Sequence, residues 1–104
     1  MCGIIGFTGN LQAPGILVDG LQQLEYRGYD SAGIAVNNGS ETKIVKTTGK
    51  VATLREKVEA TADLAGTCGI GHTRWATHGG VTEVNAHPHV SGNVTLIQDR
   101  KSVV

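Results

Sequence analysis

The chain has few of the features that would direct it to a membrane, a nucleic acid or an oxidising compartment. Nine basic residues balance nine acidic ones, and neither sign forms a run, so no phosphate-backbone or membrane-surface partner is indicated. No apolar stretch approaches the ~20 residues of a membrane span, and no secretory signal opens the chain. The two cysteines are too few for a disulfide framework. These absences predict a soluble protein in a reducing, cytoplasmic setting.

Glycine is the residue in excess. It fills 15 of the 104 positions, about twice the ~7% of average usage. The glycines are spread along the chain near the predicted element ends, which is typical of tight turns and close backbone approaches and not of a flexible linker. The length predicts one domain or part of one.

Hydrophobic periodicity predicts the element order β-α-β-β-α-β-loop-β, and therefore an α+β domain of layered sheets and helices. The Asn37-Asn38-Gly39 sequence predicts a hairpin between the second and third strands, and Gly20 predicts close packing of the first helix. The predicted strands cover residues 3–7, 32–36, 43–47, 67–73 and 94–97, the predicted helices 12–26 and 51–64, and the predicted loop 76–93.

The start of the chain carries a potential nucleophile. Removal of Met1, which is usual before a small residue, would leave Cys2 with both a thiol and a free α-amino group. An α-amino group has a pKa of about 7.7–8.0, so part of it can accept the thiol proton at neutral pH. A nucleophile activated by its own N-terminal amine is an established form of covalent catalysis. The alternative is an accidental cysteine on a frayed terminus.

Polar side chains are concentrated at the end of the predicted strand 67–73 and just beyond it. Arg74 offers a planar guanidinium that suits a carboxylate, and Thr77 or His78 could bond to the same ligand. Strand ends and the loops that follow them commonly hold binding groups. The alternative for Arg74 is a surface or structural ion pair.

The histidines and Cys68 do not predict a metal site. His72 and His78 are six positions apart and His87 and His89 two apart, and neither interval matches a usual zinc pattern. Solvated or structural histidines are the expected case, and a metal-binding module is kept only as an alternative. Cys68 is predicted to be a small core residue in an apolar strand.

Four segments of the chain carry a resemblance to a known family. They are Met1-Cys2-Gly3-Ile4-Ile5-Gly6, Leu24-Glu25-Tyr26-Arg27-Gly28-Tyr29-Asp30-Ser31-Ala32-Gly33, His72-Thr73-Arg74-Trp75-Ala76-Thr77-His78-Gly79 and Asn85-Ala86-His87-Pro88-His89. Together they resemble the glutaminase domain of glutamine–fructose-6-phosphate aminotransferase (isomerizing), or glucosamine-6-phosphate synthase. The Met-Cys-Gly start is shared by the wider class II glutamine amidotransferases, and the second and third segments are more specific. The resemblance covers residues 1–97.

The resemblance implies an N-terminal-nucleophile hydrolase, with residues 1–97 forming part of its four-layer αββα sandwich. Cys2 would attack the side-chain amide of glutamine while its own amine moves the proton, and Arg27 would support the nucleophile. Arg74 would hold the α-carboxylate of the substrate. Trp75, Thr77 and His78 would line the same pocket, and no metal or organic cofactor is implied.

The match to the family ends after residue 97. The family continues with His-Asn-Gly, whose asparagine side chain and glycine N–H form the oxyanion hole, whereas this chain has Gln98, Asp99 and Arg100. A carboxylate at Asp99 would repel the developing oxyanion, and loss of one donor there typically costs ~10²–10³ in rate. Residues 98–104 are therefore predicted to be a non-matching tail.

The resemblance also predicts that this chain is a fragment. It would lack the domains that bind fructose 6-phosphate in a parent enzyme that is expected to be a homo-oligomer. With sheet edges unpaired, such a fragment is predicted to aggregate and to have little or no glutaminase activity. The alternatives are another class II amidotransferase, such as amidophosphoribosyltransferase, and a non-catalytic glutamine-binding remnant. Trp75 and the residues after it argue against the first.

Overall fold

The computed structural model describes residues 3–24, 31–61, 64–74, 88–91 and 94–96, with the backbone alone described for the last two strands. Helices and antiparallel strands occur together in the chain, which confirms the predicted α+β class. The elements are β1 (Gly3–Thr8), α1 (Ala13–Gln23), β2 (Ser31–Asn37), β3 (Thr42–Thr48), α2 (Val51–Ala60), β4 (Cys68–Arg74), β5 (His89–Ser91) and β6 (Val94–Leu96).

The main sheet has four strands in the order β1-β4-β2-β3, and every neighbouring pair is antiparallel. Strand β4 therefore lies between β1 and β2, and both of its edges are hydrogen-bonded. Strands β5 and β6 form a separate two-stranded antiparallel sheet. The first strand of the chain therefore pairs with a strand that comes late in the sequence.

The predicted hairpin joins β2 to β3. Its turn is held by Asn38, whose Oδ1 accepts hydrogen bonds from the N–H groups of Ser40 (3.0 Å) and Glu41 (2.9 Å). Gly39 has a φ of +99°, a backbone conformation that residues with a Cβ rarely adopt. Local side-chain bonding and glycine together fix this turn.

Helix α1 packs directly on β4 because β4 carries glycine on the side that faces the helix. A Cβ added at Gly69 would lie 2.7 Å from Leu17 Cδ1, and one added at Gly71 would lie 3.3 Å from Leu21 Cδ1. Both leucines are fully buried. The same relation holds at Gly20 of α1, where a Cβ would collide with Ile5 Cδ1 of β1. These approaches confirm the close packing predicted from the glycine content.

Helix α2 covers the same side of the sheet as α1. Its Val51 and Leu54 are fully buried in the cluster that also contains the apolar face of α1. On the outer side of the two helices, Arg55 Nη2 donates to Asp19 Oδ1 at 2.7 Å and to Gln22 Oε1 at 2.9 Å. Both helices therefore lie on one face of the main sheet, and the other face is left for the site.

Both predicted helices are too long at their C-terminal ends. Helix α1 ends at Gln23 and α2 at Ala60, whereas the predictions extended them to 26 and 64. After α2, Thr61 is extended (φ −83°, ψ 118°), and its hydroxyl donates to the Lys57 carbonyl at 2.6 Å. A β-branched residue that bonds back to the last turn in this way ends the helix.

Two further predictions are wrong. Cys68 is exposed and not a core residue. It begins β4, and because side chains alternate along a strand, it lies on the face opposite to Gly69 and Gly71, away from the helices. The predicted loop 76–93 contains strand β5, and the part of that loop before residue 88 lies outside the described residues.

Candidate functional site

The candidate site begins with the sheet face that the helices leave uncovered. Gly69 and Gly71 of β4 point toward α1, so alternation turns His72 and Arg74 to the opposite face. Arg74 is the last residue of β4 and pairs with Ser31, the first residue of β2. A cation and a hydroxyl thus lie side by side at one end of this face.

Arg74 is a buried cation. Only 8% of the residue is exposed, which rules out the surface ion pair that was one reading of its sequence position. Removing a guanidinium from water is costly unless charged or polar groups compensate it, and Arg74 does interact further with the rest of the chain. Its planar set of N–H donors is suited to a bidentate carboxylate.

Two buried hydroxyls lie next to Arg74, and the sequence had not assigned either of them a role. Ser31 and Thr73 are fully buried, and within the described part of the chain neither Ser31 Oγ nor Thr73 Oγ1 has a hydrogen-bond partner. Ser31 shares the face of Arg74, whereas Thr73 points toward the helices. Both residues lie in the segments that carry the family resemblance, but the sequence does not show that Ser31 lies beside Arg74.

The head of β1 is packed tightly against the same end of the sheet. Gly3 is buried and pairs with Thr73. A Cβ at Gly3 would lie 2.8 Å from Thr73 Oγ1 and 2.8 Å from Leu24 Cδ1, so only glycine fits there without a shift of neighbouring atoms. The residue that precedes Gly3 in the sequence is Cys2, which is therefore attached to a closely held strand end.

The structure describes one of the six predicted site residues, Arg74, and the other five lie outside the described residues, as do Gln98, Asp99 and Arg100. The roles of all six residues remain predictions. Those five residues are Cys2, Arg27, Trp75, Thr77 and His78.

Within the described residues, no group of three or more His, Cys, Asp or Glu side chains could hold a metal ion. No helix in that part of the chain is long and apolar enough to cross a membrane.

Comparison with solved structures identifies the class of protein. Glutamine phosphoribosylpyrophosphate amidotransferase from B. subtilis, complexed with ADP and GMP, matches with a TM-score of 0.70 and 27% identity over 91% of this chain and 20% of its own. A structure described as the allosteric regulatory enzyme of purine biosynthesis matches with a TM-score of 0.68 and 32% identity over 86% of this chain and 19% of its own. The fold is that of an N-terminal-nucleophile amidotransferase.

Curated sequences identify the family within that class. Glutamine–fructose-6-phosphate aminotransferase (isomerizing) from Streptococcus pyogenes serotype M3 is 59% identical over 101 residues, 95% of this chain. The enzyme of that name from Streptococcus mutans serotype c is 53% identical over 105 aligned positions, 100% of this chain. The chain belongs to the glutamine–fructose-6-phosphate aminotransferase family. It spans 16–17% of the length of these relatives, and no family model matches its sequence.

Proposed function

We propose that this chain forms part of a glutaminase site that releases ammonia from glutamine for the synthesis of glucosamine 6-phosphate from fructose 6-phosphate. The relatives that carry the corresponding name are 51–59% identical to it. The observation that carries the proposal is the pairing of β1 with β4, because it relates the proposed nucleophile to the proposed carboxylate clamp.

The register of β1 and β4 supports a shared site for Cys2 and Arg74. Gly3 and Thr73 are Cα partners in an antiparallel pair; Cys2 comes just before Gly3, and Arg74 just after Thr73. If the pairing continued by one residue, Cys2 would lie opposite Arg74, and such partners have Cα atoms about 4.5–5.5 Å apart. Directly opposite residues carry their side chains on the same face. Nucleophile and clamp would then share the face away from the helices.

In the proposed reaction, the Cys2 sulfur attacks the side-chain amide carbon of glutamine and its thiol proton passes to the α-amino group of Cys2. The tetrahedral intermediate collapses as the amine returns that proton to the leaving nitrogen, and ammonia departs. Water then attacks the thioester, which releases glutamate and restores the thiol. The Arg74 guanidinium holds the α-carboxylate throughout and fixes the amide at the nucleophile.

The remaining assignments complete the proposal. Trp75, Thr77 and His78 line the glutamine pocket, and Arg27 supports the nucleophile. Fructose 6-phosphate would bind to parts of the enzyme that this chain does not contain, in a cytoplasmic homo-oligomer. The glutaminase step as written requires no metal or organic cofactor.

A second candidate function is glutamine binding without turnover, and Asp99 is the observation that favours it. In the family pattern an asparagine donates to the oxyanion at this point, whereas a carboxylate repels it. An amidophosphoribosyltransferase is less favoured, since structures of that kind are 27–32% identical to the chain and the curated aminotransferases 51–59%.

Covalent labelling tests the proposed site in this chain. The probe is a glutamine analogue in which a chloromethyl ketone replaces the side-chain amide, and the site of attachment is read by peptide mass spectrometry. We expect the probe to modify Cys2 and excess L-glutamine to protect it. Cys68, which is exposed, serves as the internal control for non-specific alkylation.

Two variants and one assay complete the test. Arg74→Ala should abolish selective labelling of Cys2, because the probe loses its carboxylate contact, and should leave the reaction of Cys68 with iodoacetamide unchanged. Ammonia release is then measured with L-glutamine. Selective labelling without ammonia release supports the binding function over the glutaminase. Equal labelling of both cysteines, unaffected by glutamine, would contradict both functions.

A further inference from the structure

We propose that Ser31 is a second binding group for the carboxylate that Arg74 holds, which makes it a specificity-determining residue of the site. This inference rests on the proposed function and deepens it. The ligand class is the α-carboxylate of an amino acid, bound by a guanidinium from β4 and a hydroxyl from β2.

Ser31 lies directly beside Arg74 in the main sheet. Ser31 and Arg74 are Cα partners in the antiparallel pair of β2 and β4, so their side chains leave the sheet on the same face and at the same level. Direct partners have Cβ atoms about 4.5–5.5 Å apart, which is close enough for both side chains to reach one carboxylate. No other strand of the main sheet separates them.

Ser31 is 0% exposed, and its Oγ has no hydrogen-bond partner among the described residues. A buried hydroxyl left without a partner costs free energy that folding alone does not recover. Such a group is commonly kept because a ligand satisfies it, and a hydroxyl beside a guanidinium suits an anionic oxygen as acceptor.

Thr73 supplies the matched comparison. It is equally buried, and its Oγ1 likewise has no partner within the described part of the chain. It neighbours Arg74 in sequence, but its side chain points toward Gly3 and Leu24 on the helix side. If burial near Arg74 were enough for a hydroxyl to bind the carboxylate, substitution of Thr73 would weaken binding as much as substitution of Ser31. Of these two hydroxyls, that of Ser31 shares the face of the guanidinium and that of Thr73 does not.

The test measures ligand affinity and stability together. Binding of L-glutamate, the proposed product, is measured by calorimetry for the unchanged chain and for Ser31→Ala, Ser31→Thr, Thr73→Val and Arg74→Ala. We expect Ser31→Ala to weaken binding by about 10- to 100-fold, the effect of losing a hydrogen bond to a charged group. Ser31→Thr, which keeps the hydroxyl, should restore most of the affinity, and Thr73→Val should leave it within about twofold.

Thermal unfolding without ligand distinguishes a hydroxyl that binds a ligand from one that only supports the fold. Ser31→Ala should unfold at the same or a higher temperature than the unchanged chain, because it removes a buried group that lacks a partner. A lower unfolding temperature together with unchanged affinity would overturn the inference. The inference would also be overturned if Arg74→Ala abolished binding while Ser31→Ala left the affinity unchanged. The proposed function would then stand. Failure of the unchanged chain to bind L-glutamate would overturn both.

Discussion

The contact between Gly20 and Ile5 predicts that the same substitution will have opposite effects at two positions of one helix. Gly20 and Gly15 both lie in α1. A Cβ at Gly20 would collide with Ile5 Cδ1, whereas one at Gly15 would meet nothing within 4 Å. Glycine to alanine within a helix gains about 0.5–1 kcal/mol from reduced backbone entropy. That gain is common to both sites, so their difference isolates the collision.

The expected stability difference between the two variants follows from the cost of adding a methyl group to a packed site. Inserting a methyl group into a closely packed site costs about 1–3 kcal/mol. Gly15→Ala should therefore stabilise the chain by about 0.5–1 kcal/mol, and Gly20→Ala should be less stable than Gly15→Ala by about 1–3 kcal/mol. For a domain of this size, 1 kcal/mol corresponds to about 4–8 °C in unfolding temperature. The two variants should thus be clearly separated in a thermal scan.

Circular dichroism during thermal and urea unfolding is the assay, and Ile5→Val provides the decisive control. That substitution removes Ile5 Cδ1, the atom that the new methyl would meet. Combined with Gly20→Ala it should recover stability, with a coupling energy of about 0.5–3 kcal/mol between the two positions. Additive effects, or equal stabilisation by alanine at positions 15 and 20, would refute the packing of α1 on β1.

Other substitutions test the turn, the core, the surface and the oxyanion position. Gly39→Ala should destabilise by about 1–2 kcal/mol in urea unfolding, because φ there is +99°. Leu54→Ala, at a fully buried position, should cost about 2–5 kcal/mol in the same assay. Asp19→Asn removes an exposed ion pair with Arg55. It should change the free energy of unfolding by less than about 1 kcal/mol at both low and high salt. Asp99→Asn combined with Arg100→Gly should raise ammonia release by about 10²-fold or more if these residues occupy the oxyanion position; an unchanged rate would remove them from that role.

Much of the fold could be predicted from local pattern. The β2–β3 hairpin followed from its Asn-Asn-Gly turn, and the close approach of α1 followed from Gly20, because turn chemistry and missing side chains act within a few residues. Helix ends were harder to predict, since the end of α2 depends on the extended conformation of Thr61. An amphipathic pattern that continues beyond the last helical residue conceals such an end.

The faces of the sheet were harder still. The sequence indicates that β4 is apolar, but it does not show that β4 begins at Cys68 with that side chain turned away from the helices, where it is exposed. Arg74 could be predicted because neighbouring residues formed a polar segment. Ser31 could not, because its partner lies 43 positions further along the chain, and register between distant strands leaves no local signal.

The place of β1 in the sheet also sets the order in which the protein can fold. Gly3 pairs with Thr73, 70 positions further along the chain, so β1 has to wait until the last strand of its sheet has been synthesised. At about 5–20 residues per second, that interval is roughly 4–14 s on the ribosome. Sheets built on such distant contacts form slowly. During this time β1 cannot take its place in the sheet, and the site proposed at its end stays unassembled until β4 arrives.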